Sequence, residues 1–118
     1  MKGAYLKHIK YIFRADLKPK KALKFVNYLT TIIGATKTFI KFIDLSPGFD
    51  IICGLKESHI ALSYWGELGL CIMDIFSCKD FNREAVSVHI KKILDVEKVL
   101  ETVLLDASVF TLIRKLNG

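Results

Sequence analysis

The hydrophobic period of this chain changes part-way along, and that change constrains its fold more than any other feature. Over residues 4–14 side chains alternate as in a strand, with Tyr5, Ile9, Tyr11 and Phe13 on one side and Leu6, His8, Lys10 and Ile12 on the other. From Asp16 and Pro19, which supply a helix start, the spacing becomes helical. Ala22, Leu23, Val26, Leu29 and Ile33 recur on one face and Gly34 stands where a helix C-cap sits, which predicts a helix over 18–33. The period then returns to that of strands. Residues 36–44, 50–56 and 58–65 have β-rich composition, with Ser46, Pro47 and Gly48 as a turn. Gly66 and Gly69 break the run, and 70–77 form a nearly continuous apolar strand expected to be covered on both faces. Asn82 caps a second helix over 83–94, with Ala85, Val88, Ile93 and Leu94 expected inward. The apolar segment within 97–116 is left open between strand and helix, because its periodicity fits neither alone.

This order of elements predicts an α+β fold, a two-layer sandwich with an antiparallel sheet and two helices on one face. With 118 residues, 52% of them apolar, the chain suits a single domain over 1–118. The second sheet face must also be covered, and self-association into a homodimer does this in so short a chain. No uncharged apolar run reaches the ~18 residues of a bilayer span, and the Met1–Lys7 start lacks the apolar stretch of a signal peptide, so a cytoplasmic protein with no membrane partner is expected.

Cys53, Cys71 and Cys78 form no C-x-x-C pair, and an odd number of thiols argues against a disulfide framework. His8, His59 and His89 are scattered singly, so no metal site is expected. The net charge of +6 arises from groups such as Lys18, Lys20, Lys21 and Lys24, and Lys91 and Lys92, which read as solvated helix faces. A nucleic-acid site needs aromatics interleaved with such residues or a known module, and the chain has neither.

The chemistry concentrates in Glu57-Ser58-His59-Ile60, then Tyr64-Trp65-Gly66-Glu67-Leu68-Gly69, then Met73-Asp74-Ile75-Phe76-Ser77-Cys78. Singly, each residue has an ordinary structural reading, and Cys53 and Cys71 keep it as core thiols. Together they resemble the prokaryotic S-adenosylmethionine decarboxylase proenzymes, whose pattern runs roughly E-S-H-I/L-S-I-H-T-W-P-E, followed by D-V/I-F-T-C at the separation seen here. Gly34-Ala35-Thr36, the Ser46-Pro47 turn and a histidine near the N-terminus also match, so the likeness covers about residues 3–95.

The resemblance implies self-cleavage between Glu57 and Ser58. The Ser58 hydroxyl would add to the Glu57 carbonyl, move the acyl group from nitrogen to oxygen and, after elimination, leave a pyruvoyl cofactor made from Ser58 itself. That ketone forms a Schiff base with a substrate amine and accepts the electrons left by departing carbon dioxide. Cys78 matches the family's proton donor, a task that suits a thiol because thiols titrate near about 8.5. Glu67 matches the carboxylate that binds ribose hydroxyls, and Trp65 lies in the same substrate-binding segment. The implied activity is decarboxylation of S-adenosylmethionine for polyamine (spermidine) biosynthesis, with sites at a homodimer interface.

Three positions depart from the pattern. Ser63 stands where the family has its processing histidine, and a hydroxyl does not change charge near neutral pH as an imidazole does. Asp50 stands where the family has a serine after the turn; Asp50 and His59 are the candidates to replace the missing base. Leu45 replaces the phenylalanine that stacks on adenine, with Phe49 a nearby substitute. These departures support two alternatives: a non-processing homologue acting as a regulatory or scaffold subunit, and a pyruvoyl-dependent arginine or ornithine decarboxylase.

Overall fold

The structure is a computed structural model describing residues 4–118; the expected domain over 1–118 thus begins outside the described residues. In β1 (Tyr5–Arg14) the two-residue period buries Ile9, Tyr11 and Phe13 and leaves His8, Lys10 and Ile12 half-exposed on the opposite face. α1 (Pro19–Ile33) follows. Pro19 opens it, and Gly34, at φ 74°, closes it by donating its N–H to the Thr30 and Thr31 carbonyls. Lys18 is the capping position, while Asp16 makes only an exposed contact with Lys18 at 3.7 Å.

β2 (Lys37–Leu45), β3 (Gly48–Leu55), β4 (Ser58–Trp65) and β5 (Leu70–Ser77) then run as consecutive antiparallel hairpins. α2 (Arg83–Leu94) crosses back so that β6 (Val99–Ser108) pairs with the far side of β1. The single sheet has the order β2-β3-β4-β5-β1-β6. α3 (Val109–Asn117) ends the chain.

One face of the sheet carries the core. Ile9, Ile51, Ile60, Leu62, Met73 and Ile75 from the central strands meet Phe25, Val26 and Leu29 of α1 and Val86 and Ile90 of α2, all fully or almost fully buried. The two-layer α+β expectation therefore describes the molecule, with two differences. The 97–116 segment is both a strand and a third helix. α2 turns Val86, Ile90 and Leu94 inward, and not the expected Ala85, Val88 and Ile93; Val88 and Ile93 are exposed. The helix carries two apolar stripes, and the i, i+4 stripe faces the sheet.

The other sheet face has no layer over it among the described residues. β5 shows this most clearly: Cys71, Met73, Ile75 and Ser77 are buried, whereas Leu70, Ile72, Asp74 and Phe76 on the alternate side are only partly so. The expectation that β5 is covered on both faces thus fails for one chain.

Candidate active site

β3 and β4 are joined by only Lys56 and Glu57, with Leu55 paired to Ser58 across the turn. So tight a connection forces one residue into the left-handed region, and that residue is Glu57, at φ 61°. A side chain there costs on the order of 1 kcal/mol relative to glycine. The peptide bond following this strained residue is the one that joins Glu57 to Ser58.

Ser58 is fixed from the neighbouring strand end. The Cys78 N–H donates to Ser58 Oγ at 2.9 Å, and Cys78 Sγ lies 3.9 Å from the Lys56 carbonyl oxygen. Serine, cysteine and the strained turn line one cavity of about 340 Å³, together with Ala35, Thr36 and Lys79. Lys79 donates to the Gly34 carbonyl at 2.6 Å, tying the cysteine-bearing segment to the end of α1.

A second anchor went unread in the sequence. Lys7 is buried in β1, where its ammonium donates to Asp80 at 2.9 Å and to the Phe81 carbonyl at 2.7 Å and sits over the Phe81 ring. It clamps the 78–82 segment against the sheet, and so sets where Cys78 lies. A strand lysine ordinarily reads as solvent-facing; its position opposite Ser77 on the buried row is the signal that reveals this one.

The remaining candidates divide by strand parity and by distance. His59 follows Ser58 but faces the open side, stacked on Phe76 with ring centroids 5.6 Å apart. His8 joins Asp74 on that same side at 2.9 Å. Asp50 pairs with Ser63, five positions along β4 from Ser58, or roughly 17 Å at ~3.4 Å per residue. Leu45, Trp65 and Glu67 lie at that far end too, all exposed. One chain therefore gathers Glu57, Ser58 and Cys78 and leaves Asp50, Leu45, Trp65 and Glu67 at the opposite end of the sheet. Phe49 does not replace the stacking ring: it is a core side chain, packed between Phe42 and Tyr64.

The other two cysteines are core residues. Cys53 and Cys71 are buried, and loss of solvation raises both thiols, Cys71 to about 12. No group of three or more metal-ligating side chains occurs among the described residues, and no described helix is long and apolar enough to cross a membrane.

A six-stranded antiparallel sheet with α1 and α2 packed on one face, and a serine and a cysteine meeting at a strained hairpin, defines an α+β fold with one candidate site at the β3-β4 turn. The sequence profile described as S-adenosylmethionine decarboxylase matches residues 13–105, and the chain belongs to that family. Among curated proteins it is similar to S-adenosylmethionine decarboxylase proenzymes from two strains of Methanococcus maripaludis. One is 37% identical over 67 residues, covering 55% of each chain, and the other 39% identical over 72 residues, covering 56% of each. The chain thus spans about half the length of the curated relatives it matches. The adenosylmethionine decarboxylase of Aquifex aeolicus shares the fold, with a TM-score of 0.72 over 91% of this chain and 93% of that one, at 18% identity.

Proposed function

We propose that the chain is a pyruvoyl-dependent carboxy-lyase that decarboxylates S-adenosylmethionine in polyamine (spermidine) biosynthesis, after cutting itself between Glu57 and Ser58. The observation that carries this reading is the meeting of Ser58 and Cys78 in one cavity at the strained Glu57 turn.

Each residue there has a task that fits its surroundings. Cys78 N–H holds the Ser58 oxygen in one rotamer, on the residue directly after the scissile carbonyl. Addition of that oxygen to the Glu57 carbonyl carbon forms an ester bond as the amide C–N bond breaks, which frees the strained backbone of Glu57. Removal of the Ser58 α-proton then breaks the ester C–O bond and releases the Glu57 carboxylate; the amine left on residue 58 departs as ammonia when water adds. The pyruvoyl group so produced supplies a ketone that captures an amine and draws off the electrons released with carbon dioxide. Cys78, lining the same cavity, carries the proton returned to the substrate carbon.

The α-proton needs a base. Asp50 and Ser63 are adjacent but about a strand's length from their own Ser58. In a homodimer whose open sheet faces meet antiparallel, Asp50 of one copy lies across the seam from the turn that carries the Glu57-Ser58 bond of the other, along with the second copy's Glu67 and Trp65. The open face supports such contact, since Phe39, Leu45, Trp65 and Leu100 are all exposed there. Three free thiols suit a cytoplasmic setting.

The test is release of labelled carbon dioxide from carboxyl-labelled S-adenosylmethionine by the matured protein, with arginine and ornithine in parallel. Release from S-adenosylmethionine alone, lost in Cys78→Ala, is expected; release only from a basic amino acid overturns the substrate assignment. Ser63 supports a second reading, a homologue that never processes and serves as a regulatory subunit; no release from any of the three substrates favours it.

A further inference from the structure

A groove of about 550 Å³ opens between α1 and α2, sharing no lining residue with the Ser58 cavity. Its floor is aromatic. The His89 ring of α2 stacks on Phe25 of α1, with centroids 5.2 Å apart and planes 8° apart, and on Tyr28, at 5.0 Å and 20°. Tyr28 is 58% exposed, so a flat ring face is presented to solvent beside the histidine.

The rim is cationic. Lys21 and Lys24 of α1 and Lys92 of α2 line the groove with no carboxylate among its walls, and none of the three lies within 4 Å of a carboxylate among the described residues. α1 contains no acidic residue at all, so no i±4 neighbour within it neutralises Lys21 or Lys24. Three ammonium groups around one concavity repel each other, and a bound anion removes that repulsion. His89 Nε2 is buried without a hydrogen-bond partner, an unusual state for a polar atom. Burial also lowers the His89 pKa, so the ring remains a neutral stacking surface at pH 7.

The ligand must answer both features. A small inorganic anion leaves the ring faces uncovered, and an uncharged aromatic leaves three lysines unpaired. The volume lies within the ~300–1,000 Å³ of ordinary small-molecule sites. We propose that this groove binds a nucleoside polyphosphate, its base laid on Tyr28 beside His89 and its phosphates held by Lys21, Lys24 and Lys92.

The site is independent of the Ser58 chemistry and is tested on the full chain by calorimetry and ring-resonance NMR at low ionic strength, titrating ATP, adenosine and inorganic tripolyphosphate. ATP should bind and shift the His89 and Tyr28 ring signals, with tripolyphosphate and adenosine at least tenfold weaker at those signals. The exposed-residue variant Lys24→Ala/Lys92→Ala should lose at least tenfold in ATP affinity, Tyr28→Ala should abolish the advantage of ATP over tripolyphosphate, and Glu67→Gln should change nothing at the groove. Absence of ATP binding, equal affinity for tripolyphosphate in the unaltered chain, an unaffected lysine variant, or loss of the His89 and Tyr28 shifts in Glu67→Gln each overturns the proposal.

Discussion

At the scale of single residues, the account turns on Glu57. Its left-handed backbone stores on the order of 1 kcal/mol that a glycine does not. If the acyl shift releases this strain at the transition state, Glu57→Gly slows self-cleavage by roughly fivefold, the rate equivalent of ~1 kcal/mol. The same variant should melt no lower than the parent chain; time-resolved gel analysis and thermal denaturation check both. Cleavage at an unchanged or faster rate would show that the strain has no part in the reaction. Ser58, Cys78 and Glu67 stand out in the sequence through the family resemblance; the structure brings Ser58 and Cys78 to one cavity and leaves Glu67 at the far end of the sheet. Lys7 was not, since only strand pairing shows that its row faces inward beside the 78–82 segment. Phe49 was misread for the same reason: proximity along the chain says nothing about which sheet face a side chain takes, and its parity places it in the core.

At the scale of elements, the strands between residues 37 and 77 were readable from composition and turns, and the capped helices from Gly34 and Asn82. The face of α2 was harder, because apolar residues at 85, 88 and 93 compete with those at 86, 90 and 94, and the sheet below decides between them. β6 escaped periodicity because it is an edge strand with most of its residues exposed, so burial imposes no alternation; α3 buries no residue either. Strand ends also hold packing that spacing alone does not reveal. A methyl group on Gly66 falls 1.9 Å from the Pro47 carbonyl oxygen, a backbone atom, whereas on Gly54 it meets the side-chain ring of Phe39, itself 52% exposed. Gly66→Ala should therefore cost about 1–3 kcal/mol by overpacking, and Gly54→Ala distinctly less because the ring can swing aside. Denaturant titration of the two variants compares them directly; equal losses would mean that the β2-β3 and β4-β5 turns are not held as tightly as their contacts imply.

At the scale of the whole molecule, the proposed function joins an open sheet face to candidate residues at opposite ends of β4 through one arrangement, in which two chains complete each other. Co-expression makes this testable. A chain carrying Asp50→Asn should fail to mature alone, and a partner carrying Ser58→Ala, which cannot be cut, should restore cleavage of the Asp50→Asn chain by supplying the intact carboxylate. Fragments that never appear in the mixture, when the unaltered chain does mature, would place the base elsewhere. Family and sandwich layout were visible before any coordinates; the separation of Asp50 from Ser58 was not, because it depends on how strand length converts to distance. The most direct measurement is the intact mass of the purified chain after prolonged incubation, with and without a carbonyl-trapping hydrazine. Two fragments divided before residue 58, the second bearing a hydrazine-reactive ketone, are predicted; a single full-length species that never takes up the reagent would contradict the account.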